Sequence, residues 1–229
     1  MRAVLTVFIL ATNTFCSTRN VIARQISGEK NNLGLTCDMF YKAVISSGYP
    51  KPLQTQCNSF LKGSGESEIA NKMESAMFLS QTLWESDGLR AKEEYLCKTT
   101  NCHKLYRLSS DVGNSSYHGR GYIQLTWSYN YEAASFALFG DDRLLKNPDL
   151  VSKNEKISWD VSFWYWGSWV RTNSDVLKGK FGASTKMING ALECNGADKT
   201  KAKKRFEIYK KVLAVFEPKL KPIENGCYN

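Results

Sequence analysis

The chain is organised around two segments, FLSQTLWESDGLRAKEEYLC (Phe78–Cys97) and YHGRGYIQLTWSYNY (Tyr117–Tyr131). The first segment carries two candidate acid/base carboxylates, Glu85 and Glu94, which lie nine positions apart on either side of a glycine-containing turn. The second segment interleaves glycines and short polar side chains with aromatic ones. Glycine lets the backbone approach a neighbouring group closely, so the two segments together predict a cleft that carries two carboxylates.

The two glutamates have different expected surroundings. Glu85 ends a largely apolar helix beside Trp84, and an aromatic wall disfavours the charged carboxylate and raises its pKa. Glu94 follows the turn on another element and can face Glu85 across the cleft. Hydrolysis of a glycosidic bond uses such a pair. One carboxyl protonates the leaving oxygen, and the other activates water or reacts at the anomeric carbon. Taken singly, each glutamate also fits an ordinary surface position.

Polar side chains at Gln124, Thr126 and Asn130 alternate with aromatic and aliphatic ones in the second segment. Amides, hydroxyls and aromatic faces suit a neutral sugar polymer that is rich in hydroxyl and acetamido groups. The same spacing also fits a buried polar network, so both interpretations stay open on these residues alone.

Length and composition indicate one secreted globular domain. The chain has 229 residues and a formal net charge of +9, which permits an acidic partner. Many of its basic residues lie in Thr200–Lys211, where a solvated helix face is the simpler interpretation. Residues 1–17 have the pattern of a signal peptide, and residues 18–34 of a flexible leader. Six cysteines then remain, enough for three disulfides, whereas two histidines offer little for a metal site.

Apolar periodicity predicts a mostly helical chain. The expected helices are Cys37–Ser47, Ser67–Trp84, Trp127–Phe139, Glu155–Val170, Phe181–Ile188 and Asp198–Phe216. We expect a loop around Cys57 and GSGES, and short strands with loops from Gly88 to Gly121. Within Glu155–Val170, the stripe of Trp159, Phe163, Trp166 and Val170 fits a core helix better than a sugar-stacking surface.

The segment YHGRGYIQLTWSYNY, together with MINGALECNG (Met187–Gly196), closely resembles the signatures of glycoside hydrolase family 19 chitinases. The resemblance covers roughly residues 78–205. It implies a mainly α, lysozyme-like two-lobed fold with a small irregular or β region, placed here over residues 35–229. It also implies inverting hydrolysis of β-1,4-linked N-acetylglucosamine polymers, with chitin or its oligosaccharides as partner and without a cofactor or metal.

The same resemblance assigns roles to individual residues. Glu85 matches the general acid, Glu94 matches the base with the adjacent Glu93 as the alternative, and Thr126 matches the residue that holds the attacking water. The matched substrate-binding positions are Tyr117, Gln124, Tyr129, Asn130 and Asn189. Glu193 and Arg205 match a charged pair that supports the base. The implied disulfides are Cys97–Cys102, Cys194–Cys227 and Cys37–Cys57. The chain departs from the family pattern at Trp84, Ser86, His118 and Tyr122.

The sequence therefore predicts a secreted endochitinase, extracellular or associated with a cell wall. We expect a monomer that binds neither nucleic acid nor, after loss of the signal peptide, a membrane. One alternative is a muramidase that acts on peptidoglycan with a lysozyme-like fold. Another is a catalytically silent chitin-binding wall protein, against which the presence of both Glu85 and Glu94 argues.

Overall fold

The computed structural model describes residues 33–109, 111 and 113–229. The predicted signal peptide and residues 18–32 of the predicted leader lie outside the described residues. The helices are α1 (Cys37–Ser46), α2 (Gln54–Glu66), α3 (Lys72–Glu85), α4 (Cys102–Leu105), α5 (Ser128–Phe139), α6 (Arg143–Lys146), α7 (Leu150–Lys153), α8 (Glu155–Tyr165), α9 (Ser174–Leu177), α10 (Phe181–Glu193) and α11 (Thr200–Phe216). A 3-10 turn covers Tyr95–Lys98, and a π-helical turn covers Trp166–Val170. No helix of the described residues is both long and apolar enough to cross a membrane.

Helix α3 lies at the centre of the fold and is buried along most of its length. It packs mainly against α11 and also meets α10. The helix begins at Lys72 rather than at the predicted Ser67, because Asn71 caps it by accepting a hydrogen bond from the Glu74 backbone N–H. Its last residue is Glu85, so the central helix carries the predicted acid at its C-terminal end.

The loop predicted around Cys57 is wrong, because helix α2 occupies that segment. A Cβ atom on Gly63 would lie 2.1 Å from the Phe163 ring, so this glycine permits close packing of α2 on α8. The Cys37–Cys57 disulfide fixes α2 to α1. Glycines that resemble loop residues in the sequence therefore serve helix packing here.

The aromatic residues of the predicted core stripe are buried, as predicted: Trp159 and Phe163 in α8, and Trp166 in the π-helical turn that follows it. The Phe78 ring of α3 lies 4.3 Å from that of Phe163, and the Phe60 ring of α2 lies 5.5 Å from that of Trp159. Each buried aromatic side chain removes a large apolar area from water and so stabilises the core.

The segment from Gly88 to Gly121 is irregular, as predicted, but the short strands expected there are wrong. Its described residues form isolated bridges, Glu93 with Arg120 and Arg120 with Leu125, together with short helical turns. A disulfide joins Cys97 to Cys102.

Helix α10 continues to Glu193, past the end predicted at Asn189. Asn189 itself has non-helical backbone angles (φ −146°, ψ 34°), so the helix is kinked at the predicted stop. The third disulfide joins Cys194 to Cys227. All three predicted disulfides are therefore confirmed.

Candidate active site

Glu85 lies in a buried cluster of charged side chains where α3, α10 and α11 meet. Arg205 Nη2 lies 2.5 Å from Glu85 Oε1. The same guanidinium donates to both carboxylate oxygens of Glu193, each at 2.8 Å. Gln81, one turn before Glu85, accepts from Arg205 Nη1 at 2.8 Å. We expected Glu193 and Arg205 to support the base, whereas these hydrogen bonds bring Arg205 to the predicted acid.

The cluster holds one cation and two carboxylates, and the two carboxylates differ in pKa. Burial raises the pKa of Glu193, but the hydrogen bonds and charge of Arg205, with a further bond from Asn189, outweigh burial and leave that pKa lowered. Burial is the largest influence on Glu85 and leaves its pKa raised, although the charge of Arg205 opposes it. The cluster therefore takes up a proton at Glu85 first, as a general acid requires.

Glu94 lies on a loop that a sharp turn separates from α3. The turn residues Asp87–Leu89 all have positive φ, between 50° and 71°, which is strained for residues other than glycine. The Glu94 backbone N–H donates to the Gly119 carbonyl at 3.0 Å, and the Gly121 N–H donates to the Lys92 carbonyl at 2.9 Å. Main-chain bonds from the GRG motif thus hold the loop that carries the predicted base.

The Glu94 carboxylate is buried and accepts a hydrogen bond from the Tyr106 hydroxyl at 2.9 Å. Burial raises the pKa of Glu94, and hydrogen bonds from Tyr106 and the Gly119 backbone oppose that rise. Cys97 and Cys102 have sulfur atoms close to this carboxylate. Because these cysteines form a disulfide, neither offers the thiolate that a metal ion would bind.

Glu93, the alternative base, has a different environment. It pairs with Arg120 in a backbone bridge, so its side chain and that of Glu94 leave the extended chain on opposite faces. The Glu93 side chain is 45% exposed, and its Oε1 lies 3.5 Å from Arg120 Nε and 3.8 Å from His118 Nε2. Glu93 therefore belongs to an ion pair at the surface. The buried position of Glu94 favours Glu94 as the base.

Thr126 lies in a strained turn between two residues with positive φ, Gln124 (55°) and Trp127 (75°). Its side chain is buried, and its hydroxyl donates to the Gln124 carbonyl at 2.9 Å. Asn130 Nδ2 donates to the Thr126 carbonyl at 2.8 Å and so fixes the turn to the start of α5. Left-handed conformations of such residues cost about 1–3 kcal/mol each and cluster at functional sites.

Three of the predicted sugar-binding residues have polar groups available for a ligand. Tyr129 is exposed and Asn130 is partly exposed, both in the first turn of α5. Asn189 is buried, and its Nδ2 donates to Glu193 at 2.6 Å. Its Oδ1 is buried and has no hydrogen-bond partner among the described residues, an arrangement that is costly unless a ligand supplies a donor.

The other two predicted sugar-binding residues, Tyr117 and Gln124, are buried and bonded within the protein. Tyr117 OH donates to the Leu145 carbonyl at 3.0 Å, and Gln124 Nε2 donates to the Gly121 carbonyl at 3.0 Å. These bonds stabilise the loop around the site, and direct contact of either side chain with a sugar stays a prediction.

Sequence reasoning missed two tyrosines that lie close to the carboxylates. One is Tyr106, which bonds Glu94. The other is Tyr165 at the end of α8, where burial, with smaller effects of Glu85 and Tyr129, raises its pKa to about 12. Apolar periodicity could identify the helix of Tyr165 but not that this residue interacts with Glu85. No motif marks Tyr106.

Two departures from the family pattern are accommodated by new contacts. The Arg205 guanidinium lies 5.6 Å from the centre of the Trp84 ring, so this tryptophan covers one side of the acid cluster. The Tyr122 hydroxyl donates to Glu155 at 2.8 Å and accepts from Gln56, whose amide also donates to the Leu89 carbonyl. Tyr122 thereby connects the core to the strained turn before Glu94.

Comparisons with known proteins identify the family of the chain. A family profile described as "Chitinase class I" (glycoside hydrolase family 19) matches residues 53–176. Acidic endochitinase SP2 from Beta vulgaris is 36% identical over 135 residues, which cover 52% of this chain and 45% of that protein. Inactive chitinase-like protein 1 from Hevea brasiliensis is 36% identical over 118 residues, 44% of this chain and 37% of that protein. The chain thus spans about half the length, or less, of these relatives.

The crystal structure of chitinase C from Streptomyces griseus HUT6037 matches over 88% of this chain and 100% of that one, with a TM-score of 0.71 and 25% identity. The predicted mainly α, lysozyme-like fold is therefore confirmed. Since the family profile covers more than half of the chain, the chain belongs to glycoside hydrolase family 19, the class I chitinases.

Proposed function

We propose that this chain is a secreted endochitinase, extracellular or associated with a cell wall, which hydrolyses β-1,4 linkages between N-acetylglucosamine units with inversion. The observation that carries the proposal is the pair of buried carboxylates, Glu85 and Glu94, each with a raised pKa, on elements joined by a strained turn. Family membership supplies the class of polymer, since chitinases cleave chitin.

Glu85 is the proposed acid. It gives its proton to the glycosidic oxygen and becomes a carboxylate as the bond breaks. Arg205, 2.5 Å from Glu85 Oε1, then stabilises the charge that develops there. An interaction that strengthens as the charge forms lowers the barrier rather than only binding the substrate.

Glu94 is the proposed base. It removes a proton from a water molecule that attacks the anomeric carbon on the opposite face of the sugar, and the Thr126 hydroxyl holds that water. Inversion requires the two carboxyl groups to lie about 6.5–9.5 Å apart, which leaves room for the water.

Chitin differs from cellulose in its acetamido groups, and Asn189 suits them. Its buried Oδ1, which has no hydrogen-bond partner in the part of the chain that the structure describes, is an acceptor for an acetamido N–H. Tyr129 and Asn130 supply an exposed aromatic face and an amide at the start of α5. We therefore infer that chitin or chitin oligosaccharides occupy the cleft next to α5 and α10.

Two alternatives predict different products. A muramidase would cleave the β-1,4 glycan of peptidoglycan, and the basic character of the chain is compatible with that anionic polymer. A silent chitin-binding protein is the second alternative, since one relative carries the name "inactive". The buried acid cluster and the buried Glu94 favour catalysis over binding alone.

The test is an assay of the purified protein on a soluble N-acetylglucosamine hexamer and on peptidoglycan side by side. We expect short oligosaccharides from the hexamer and little release from peptidoglycan. Glu85→Gln should lower turnover by about 10²–10⁴-fold while the protein still binds chitin beads. Full turnover by Glu85→Gln, or bead binding by the unmodified protein without any product, would contradict the proposal.

A further inference from the structure

Tyr106 lies outside every recognised motif and yet makes direct contact with the Glu94 carboxylate. Its hydroxyl donates to Glu94 Oε1 at 2.9 Å, and both residues are buried. A hydrogen bond to a charged group is stronger than one between neutral groups, and a buried setting strengthens it further. The contact can therefore fix the direction in which the carboxylate points.

Tyr106 is held in place from two sides. It directly follows α4, whose first residue, Cys102, forms a disulfide with Cys97, so the chain between Glu94 and Tyr106 contains a closed loop. The Tyr106 N–H donates to the Cys102 carbonyl at 3.0 Å. On the other side, its ring meets that of Trp127 edge-on, with centroids 5.5 Å apart. Trp127 directly follows the threonine proposed to hold the water.

Groups from its own loop and from the GRG motif contact the Glu94 carboxylate. Tyr106 and the Gly119 backbone donate to it, and Cys97 Sγ lies 3.8 Å from its Oε2. The charged side chains nearest in sequence and across the bridge contact one another on the opposite face of the chain: Glu93, Arg120 and His118. Of these two donors, Tyr106 opposes the rise that burial causes in the pKa of Glu94 more strongly than the Gly119 backbone does.

We propose that Tyr106 is a positioning residue for the base, Glu94. The Cys97–Cys102 disulfide and Trp127 hold Tyr106 in place, and Tyr106 orients the Glu94 carboxylate towards the attacking water and keeps it ionised. The inference rests on the proposed role of Glu94. A hydroxyl that donates to a carboxylate favours the charged form, so loss of this bond should make the base harder to ionise.

The test is the pH dependence of kcat/KM on the N-acetylglucosamine hexamer for Tyr106→Phe, which removes one oxygen atom. We expect the acidic limb to move up by about one pH unit, the tenfold change in ionisation constant that one hydrogen bond to a charged group can produce. Between the old and new limbs, kcat should fall while KM stays unchanged.

Tyr95→Phe is the matched control. The Tyr95 hydroxyl donates to Asp87 at 3.0 Å, so this variant loses the same atom and the same kind of bond, next to Glu94 in sequence. Its acidic limb should not move. The double variant Cys97→Ala/Cys102→Ala removes the brace and should move the limb in the same direction by less. It gives the same readout if Tyr106→Phe folds poorly.

The outcomes separate the two proposals. If Glu94→Gln is inactive and the acidic limb of Tyr106→Phe does not move, the positioning role is overturned and the proposed function stands. If Tyr106→Phe folds poorly, the acidic limb of the double variant decides in the same way. Retained turnover by Glu94→Gln overturns the base assignment and this inference together. A limb that moves equally in Tyr95→Phe also overturns the inference, because the effect would not be specific to the contact with Glu94.

Discussion

Arg205 and Glu85 form a buried ion pair between α11 and the end of α3, with Nη2 2.5 Å from Oε1. The same guanidinium also binds Glu193 at the end of α10. Three helices therefore meet at one cation, and the cation contacts the carboxyl that we propose as the acid. Stability and acid chemistry depend on the same side chain.

Replacement of Arg205 by methionine should destabilise the fold strongly. Two buried carboxylates would lose their shared cation, and breaking such a pair costs about 3–5 kcal/mol in free energy of unfolding. Arg205→Lys keeps the charge but not the planar fork and should cost less. Urea unfolding at neutral pH measures both.

The control for that measurement is Arg143→Met. Arg143 pairs with Asp141 at 2.7 Å, but both side chains are about half exposed, and exposed pairs contribute at most about 1 kcal/mol. Equal losses of stability in Arg143→Met and Arg205→Met would contradict the account of the buried cluster.

The variants Glu94→Gln and Glu93→Gln distinguish the two candidate bases. Each change removes a charge and keeps the shape of the side chain. We expect Glu94→Gln to lower kcat by about 10²–10⁴-fold, the usual contribution of a general base, and Glu93→Gln to keep most of the activity. The reverse order in steady-state assays would assign the base to Glu93.

Thr126 should act through its hydroxyl. Thr126→Ser keeps that group, whereas Thr126→Val has a similar shape and lacks it. We expect Thr126→Val to lose about tenfold to a hundredfold in kcat, as expected for one hydrogen bond of about 1–3 kcal/mol, and Thr126→Ser to lose much less. Similar kcat values for the two variants would show that the hydroxyl does not hold the water.

His118 should make the fold less stable in acid. Burial, with a contribution from the charge of Arg120, lowers its pKa to about 4, whereas an unfolded histidine has a pKa of about 6.5. Between these values the unfolded state binds more protons than the native state, so stability falls as the pH drops from about 6.5 to about 4.

The comparison for this prediction is His118→Gln, which cannot ionise. Its free energy of unfolding should depend less on pH within that window, and the difference between the two curves isolates His118 from the carboxylates. Parallel curves from urea unfolding at a series of pH values would refute the assignment.

The long helices could be predicted because their apolar side chains recur every three or four residues, as in α1 and α11. Helix α2 could not be predicted, because a glycine such as Gly63 is typical of loops. Its role in close packing against Phe163 is visible only in the fold. The strands predicted between Gly88 and Gly121 failed for a related reason. Disulfide and main-chain contacts, rather than a repeated side-chain pattern, shape that segment.

In the candidate site, the motifs identified Glu85, Glu94 and Thr126, but not how their neighbours are arranged. The contact of Arg205 with Glu85 joins residues 120 positions apart, and it depends on how α11 packs on α3. Tyr106 meets Glu94 across a segment that the Cys97–Cys102 disulfide closes into a loop. Such long-range contacts leave no local pattern in one sequence.

The measurement that tests the central claim most directly is the anomeric form of the first product. Proton NMR during hydrolysis of the N-acetylglucosamine hexamer observes the newly formed reducing end before it equilibrates. With Glu85 as acid and Glu94 as base acting on water, the α-anomer should appear first and the β-anomer should grow in later. Initial formation of the β-anomer would contradict single displacement by this pair of carboxylates.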